Sequence, residues 1–576
     1  MKGTRDERMA ELSARMPVWR PRTIWNLFCE TAARCPDRDF LVFDDGRRCT
    51  YGEALRESRA MMRELKQLGV QTGDVVALKS TNRLESVMLS LALSGMRVVK
   101  ASLNPGLRSY ELAFILRQCG ARVLFTDSPV DFTQQEAVPS LQCLVSAANE
   151  PIKHADWSRG LSVVRWFDLI AGDAERLPQG SVRMEHQAPT YVRDALPQDK
   201  CAFEVSDIMF TSGSTGNPKG AKLSHDMLLR SAWANCLNRG FEECRRIFVP
   251  LPLFHVYGYV EGLLAALFVG GTLLMSAKKV TPERALSFMR DAGANDVLAV
   301  PSLMMKYLDF LADHPGDFPQ LHAVYCSASS CPDGIWPAIR KRLGVDDVIT
   351  GYGMTEVAGA SLQTVPGDSD WTLANRVGKQ MPCGNAGLAR YHGGGQMEYR
   401  IVDEKGALCD EGVDGELQCR GATVCYGYCN EDDATSHSFT EDGWFRTGDV
   451  GQFDVDGYLV LSGRIKDSYK INGENVSTRF VEKILQKFPG VAEVEVVGIP
   501  DARLGAVGAV FVQFEHDSME RRSEFEEFCS RNLARYQVPK YHYYLTAGEW
   551  PLTPVGKVRK EDLRTMAMAN SGREVT

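Results

Sequence analysis

The sequence has no CxxC pair, no low-complexity tract, no internal repeat and no basic excess, and each absence excludes something. Sixteen cysteines are present, but none sits with Cys or His partners at zinc-finger spacing, so no structural metal is expected. Acidic residues outnumber basic ones by 74 to 66, for a formal net charge of −8. No basic stripe marks a nucleic-acid face. The first residues, MKGTRDERMAELSARM, are charged and lack an apolar core segment, so no signal peptide is expected and the implied setting is cytoplasmic. The longest apolar stretch, Val256–Ser276, carries Glu261 and is interrupted by Gly270 and Gly271. It reads as a buried helix, a tight turn and a strand rather than a membrane span. What is there is ordinary globular composition, 44% hydrophobic and 24% charged over 576 residues. That length predicts roughly two to four domains.

Along the first two-thirds, helical and strand patterns alternate. Helices are expected at Tyr51–Leu68, Arg83–Ser94 and Ser109–Gln118, and strands at Val75–Lys79, Arg97–Ser102, Arg122–Thr126 and Val297–Val300. This rhythm predicts an α/β domain of mainly parallel sheets. Residues 147–199 are less regular and read as a surface excursion or linker. After Gly463 the pattern changes to a small α+β unit: a helix over Ser477–Phe488, strands at Val494–Ile499 and Val507–Phe514, a charged helix over Ser518–Arg535 and a strand at Tyr541–Leu545. The polar stretch Arg464–Asp467 between the two parts is a candidate hinge. The expected division is therefore 1–463, a hinge at 464–467, and 468–576.

The segment Asp207–His225, DIMFTSGSTGNPKGAKLSH, is the most informative. A strand at Ile208–Phe210 runs into Thr211, Ser212, Gly213, Ser214, Thr215, Gly216, Asn217, Pro218, Lys219 and Gly220, and a helical pattern follows from about Ser224. Three glycines allow a tight turn with inward N–H groups, four hydroxyls add donors, and Lys219 adds positive charge. Together they make a phosphate cradle. No GxxxxGK[ST] frame fits, so it is not a Walker A loop.

This segment resembles the phosphate-binding signature of the adenylate-forming superfamily, which includes acyl- and aryl-CoA synthetases, adenylation domains of nonribosomal synthetases and firefly-type luciferases. Further motifs of that family follow in order, and the likeness runs from about Ile24 to about Leu563. Asn104-Pro105, Glu111-Leu112 and Gly120 to Val123 also resemble it. Gly351, Tyr352, Gly353, Met354, Thr355 and Glu356 resemble its second nucleotide motif: the glycines would give backbone access, Tyr352 a face for adenine, Thr355 a hydroxyl for phosphate and Glu356 an oxygen ligand for Mg²⁺. Trp444 to Asp449 resembles the ribose motif, with Asp449 on the ribose hydroxyls and Arg464 as the arginine that also reaches them. A hairpin is expected around Gly457-Tyr458-Leu459. Lys466 matches the hinge position, and Lys557, in Pro551 to Lys557, the catalytic lysine. Lys470, Asn472 and Gly473 would line a thiol tunnel, although the family often has glycine or lysine beside Gly473 where this chain has Asn472. Pro252-Leu253-Phe254-His255 resembles a segment bordering the acid site, where His255 would orient the carboxylate or gate pantetheine. Tyr257, Gly258, Ser302, Ser327, Met354 and Ala358 are candidate pocket walls. Ser327 stands where glycine is usual, which should narrow the pocket or add a polar contact and makes a long unbranched acid a poorer fit.

The resemblance implies a large N-terminal α/β domain of mainly parallel sheets flanked by helices, a β-barrel-like subdomain, and a small mobile α+β C-terminal domain. It implies ATP, Mg²⁺ and coenzyme A as cofactors, and a reaction in two halves: a carboxylic acid is activated to acyl-AMP, then transferred to a thiol. A medium, aromatic or otherwise bulky acid is expected as substrate. Loading of a separate carrier protein and a catalytically silent nucleotide-binding homologue are the alternatives, and a homodimer is left open.

Overall fold

The computed structural model describes residues 4–570 apart from 17–18, 108, 131–137, 148–161, 166–199, 212–217, 277–279, 330, 333, 382–396, 466, 472–473, 502–503 and 554–556. The chain divides into two compact units, one of residues 1–398 with 419–445, the other of 399–418 with 446–576.

The first unit is built on two seven-stranded sheets. In one, the strands run in the order Ser162–Arg165, Cys143–Ser146, Val123–Thr126, Val75–Lys79, Val99–Leu103, Val205–Thr211 and Lys219–Ser224. All neighbours are parallel except the last pair. Val99–Leu103 and Val123–Thr126 are buried at every position, as expected for parallel strands covered by helices on both faces. The helix Tyr51–Leu68 begins at a Thr50/Glu53 capping box and stops at Gly69, which takes φ 95°. The helix expected to end at Ser94 runs over Leu84–Met96. Arg97 closes it in a left-handed conformation, its N–H donating to the Leu93 and Ser94 carbonyls, so the next strand starts at Val99 rather than Arg97.

The other seven-stranded sheet orders Asp347–Ile349, Ala323–Cys326, Asp296–Ala299, Arg246–Phe248, Thr272–Met275, Asp39–Phe43 and Arg48–Thr50. It too is parallel except for the terminal pair. The apolar stretch forms the expected helix, turn and strand. Gly270 makes the turn at φ 54°, and Thr272–Met275 follows as a strand. Within the helix, Tyr259–Leu264 is wound as a π-helix, which an apolar pattern alone does not distinguish from α. Among the described residues no helix is long and apolar enough to cross a membrane. A three-stranded antiparallel sheet, Gly351–Met354, Gly359–Gln363 and Lys379–Gln380, completes the unit.

In the second unit, Val491–Asp501 and Gly505–Phe514 pair over their whole length, and Tyr541–Tyr544 joins Gly505–Phe514 in parallel. Thr478–Leu485 packs on this sheet around Val481, Leu485, Phe488 and Phe525. The strands Phe445–Phe453 and Leu459–Arg464 form the hairpin expected around Gly457. Lys560 is held by Glu482 and Glu495 and by the Thr478 hydroxyl at 3.1 Å. Burial, then the Glu482 charge, pushes the Glu495 carboxyl up to about 8. Replacing Lys560 leaves these acids crowded without their cation. Lys560→Met is expected to destabilise the second unit by about 1–3 kcal/mol, between the values for exposed and for buried pairs because these side chains are half-buried, read as a lower denaturant midpoint. A midpoint equal to wild type would contradict this anchoring role.

Candidate active site

The strand Val205–Thr211 turns back into Lys219–Ser224, with Thr211 paired to Lys219 and Phe210 to Gly220. The turn itself, including Ser212, Gly213, Ser214, Thr215 and Gly216, lies outside the described residues. Its two ends are fixed: the Thr211 hydroxyl donates to the Lys219 carbonyl at 3.4 Å. Gly220 is needed for packing, because a Cβ there would stand 2.7 Å from Ile208 Cγ2. The sequence reading missed the strand Lys219–Ser224 between turn and helix. Ser224 then caps the helix His225–Asn238, accepting from the Met227 amide.

The free edge of Lys219–Ser224 is taken by the segment 425–429. The Cys429 amide donates to the Gly220 carbonyl at 2.8 Å, the Tyr426 amide to Lys222 at 3.0 Å, and the Lys222 amide to Gly427 at 3.0 Å. The same segment reaches the second motif, where the Cys425 amide donates to the Glu356 carbonyl at 2.8 Å. Side chains repeat the connection. Lys219 Nζ lies 5.2 Å from the centre of the Tyr428 ring, within cation–π range, and Tyr428 Oη donates to Glu356 Oε1 at 3.0 Å. Burial, then the Glu356 carboxylate, raises the Tyr428 phenol far above its ordinary value, so it stays a donor. Tyr428 was not singled out from the sequence.

Glu356 is buried on a 3₁₀ turn, Thr355–Val357, after the strand Gly351–Met354. Ala358 leaves that turn at φ 61°. Gly353 must lack a side chain, since a Cβ would sit 2.1 Å from the Gly359 carbonyl oxygen. Tyr352 is buried, Gly353 is exposed, and Gly351, Met354 and Thr355 are half-buried. Among the described residues no group of three or more His, Cys, Asp or Glu could hold a metal. A single fixed carboxylate suits Mg²⁺ that arrives on ATP, because that ion keeps waters and phosphate oxygens as its other ligands.

Three of the pocket candidates come together. Tyr257 donates to the Tyr325 carbonyl at 2.8 Å and the Ala299 carbonyl at 3.1 Å, and Ser327 Oγ donates to the Gly351 carbonyl at 2.6 Å. The Ser327 hydroxyl is thus tied to the backbone of the 351–356 segment. Ala358 is fully buried next to that segment. Gly258 faces the Pro252 carbonyl, which a Cβ would meet at 2.7 Å. Ser302 is exposed on the first turn of Pro301–Asp313. His255 is half-buried at the start of the helix, its ring 4.7 Å from that of Phe254.

The second unit holds the remaining candidates. Asp449 and Arg464 face each other across the hairpin, and Arg464 Nε lies 2.7 Å from Asp449 Oδ1. Asp449 is buried while Arg464 is exposed. The Lys557 amide donates to Thr553 Oγ1 at 3.0 Å and its carbonyl accepts from the Thr553 amide at 2.7 Å, and residues 554–556 between them lie outside the described residues. The residue is exposed as a whole. Desolvation is still the largest influence on its ammonium, pushing the pKa down to about 8, with Arg464 repulsion adding and Asp449 opposing. Lys470 lies in the strand Tyr469–Ile471. Lys466, Asn472 and Gly473 lie outside the described residues.

The family model for AMP-binding enzymes matches residues 28–429, and that for their C-terminal domain matches 481–557. The chain belongs to the AMP-binding enzyme family. It is a carboxylate–CoA ligase, in keeping with acyl-CoA synthetase and ligase relatives along nearly its whole length. A putative acyl-CoA synthetase of Bacillus subtilis, YngI, is 28% identical over 95% of this AMP-binding enzyme and 98% of its own length. The mouse mitochondrial medium-chain acyl-CoA ligase ACSF2 is 27% identical over 94% and 87%. The fold matches an anthranilate CoA ligase, AuaEII, in complex with anthranoyl-AMP (TM-score 0.77, 22% identity, 96% and 98% covered). It also matches o-succinylbenzoate CoA synthetase of Bacillus subtilis with its acyl-adenylate (TM-score 0.74, 23% identity, 94% and 98% covered).

Proposed function

We propose that this enzyme uses ATP to convert a carboxylic acid to acyl-AMP and pyrophosphate, then transfers the acyl group to the thiol of free coenzyme A. The observation that carries this reading is the Lys219–Tyr428–Glu356 line, which ties both ends of a phosphate-type turn to a fixed carboxylate.

In the first half, a carboxylate oxygen attacks the α-phosphorus and pyrophosphate leaves. Both reactants are anions, so catalysis is largely charge neutralisation in a preorganised site. Lys219 and the 211–220 turn bind the phosphates, and Thr355 offers a further hydroxyl. Glu356 would hold Mg²⁺, which supplies charge compensation when bound. Asp449 accepts from the ribose hydroxyls with Arg464 steadying it, and Lys557 carries the positive charge that the acid and α-phosphate share. Tyr257, Gly258, Ser302, Ser327 and Ala358 form the acid pocket, and His255 orients the carboxylate. In the second half the C-terminal segment 468–576 turns about Lys466, so that Lys557 withdraws and Lys470, Asn472 and Gly473 line the thiol path. The ligases' names on related proteins, acyl and aryl alike, support a carboxylic acid as substrate.

Incubation with ATP, Mg²⁺, an acid panel and CoA should give acyl-CoA and AMP, detected by mass. Thioester on a purified carrier protein but none on CoA would move the acceptor to a carrier. The lowered Lys557 pKa makes a further prediction. A lysine with a depressed pKa loses its cation as pH rises through about 8. The adenylation kcat/KM, which reports the free enzyme, should therefore fall above that pH, and Lys557→Arg should abolish the fall. A profile flat well above 8, or one unchanged in the arginine variant, would remove Lys557 from this role.

A further inference from the structure

Glu261 is the lone acid of the Val256–Ser276 stretch, and the chemistry described so far makes no use of it. It lies on the π-helical turn Tyr259–Leu264, a distortion often found at functional positions. Its side chain is 1% exposed. Oε1 accepts from the Ala360 amide at 2.8 Å, while Oε2 is buried with no hydrogen-bond partner among the described residues. Buried polar atoms in native proteins are normally satisfied, so Oε2 calls for a partner, either a buried water or a group of a bound molecule.

The place of this atom is informative. Glu261 follows Tyr257 by four residues and so lies on the same side of the helix. Tyr257 bonds to the Tyr325 carbonyl, and a Cβ on Gly351 would meet Tyr325 Oη at 2.6 Å. A Cβ on Gly359 would meet Glu261 Oε1 at 2.9 Å. Glu261 thus backs onto the Gly351–Gln363 strand pair beside Tyr257, Ser327 and Ala358, the candidate walls of the acid pocket. The charged and titratable groups facing it include Arg239, which is already engaged by Asp296, together with Tyr257, Tyr325 and Cys236. Desolvation pushes its carboxyl up to about 8, with the Ala360 amide and Arg239 opposing, so near neutral pH it is mostly protonated and carries a donor.

We propose that Glu261 is a specificity-determining residue whose second carboxyl oxygen hydrogen-bonds a hydroxyl, keto or amide group carried on the acyl part of the substrate. This rests on the carboxylate–CoA ligase reading and adds a substrate class to it, namely acids with a polar group away from the reacting carboxylate. Sites built around a buried hydrogen-bonding group discriminate strongly, because the analogue lacking the polar group leaves the protein atom unpaired.

The test compares kcat/KM for pyrophosphate release across matched pairs of acids, equal in size and differing by one hydroxyl or keto group. The full-length wild type is expected to prefer one polar member by about 10²-fold or more. Glu261→Gln, which keeps a donor and an acceptor, should retain the preference. Glu261→Met, of similar length but apolar, should erase it, mainly through KM for the polar acid. Two results would overturn the inference while leaving the ligase reading intact: activation of acids with no polar preference in the wild type, or an unchanged preference in Glu261→Met. In either case Oε2 meets only a buried water. Absence of pyrophosphate release with every acid would overturn both readings.

Discussion

Lys557→Ala should lower the rate of acyl-AMP formation by about 10²–10³-fold, the usual loss when one preorganised charge or donor is removed from a developing anion. That corresponds to about 2.7–4 kcal/mol of transition-state stabilisation. The substitution should leave thioester formation from supplied acyl-AMP and CoA within a few-fold of wild type, because the role proposed for Lys557 lies in only one of the two half-reactions. It should not lower stability. Lys557 is exposed and its contacts with Thr553 are made by its own backbone atoms, which alanine keeps. Single-turnover measurements of each half separate these effects. Equal losses in both halves would show that Lys557 supports the enzyme generally rather than the first step.

Glu356→Gln should have the other large effect. The side chain keeps its shape, and an oxygen can still accept from Tyr428 Oη, so the buried contact survives. What is lost is one negative charge at the point assigned to Mg²⁺. Metal charge stabilisation is worth several kcal/mol, so adenylation should fall by roughly 10²–10⁴-fold. The midpoint of the Mg²⁺ activation curve should move to higher concentration, whereas the thermal midpoint without ligand should not move. Activity and Mg²⁺ dependence equal to wild type would exclude the carboxylate from metal binding.

The parts of the fold legible in the sequence were those written in local pattern. Tyr51–Leu68 and Val75–Lys79 occur with the expected bounds, because a capping box and an apolar run specify them without help from distant residues. Lys219–Ser224 was missed for the opposite reason. KGAKLS has little strand character, and its extended form is imposed by Val205–Thr211 on one edge and 425–429 on the other. The same limit hid Tyr428. Its contact with Glu356 spans 72 positions, and no periodicity reports a pairing of that kind. The Asp449–Arg464 pair was nameable only through the family motifs, although the hairpin around Gly457 that opposes the two residues was visible locally. Ser327 shows how a departure from the family pattern gains meaning from coordinates, since its hydroxyl bonds to the Gly351 carbonyl. Glu261 was read as an interruption of an apolar run. The π-helical turn and the unpartnered oxygen became visible only with the backbone and side chains in place.

Acid-dependent exchange of labelled pyrophosphate into ATP tests the central claim most directly, because it reports reversible acyl-AMP formation with no thiol present. The account predicts exchange that requires both Mg²⁺ and a carboxylic acid, proceeds without CoA, and drops sharply in Lys557→Ala. Saturable ATP binding with no exchange for any acid would contradict it.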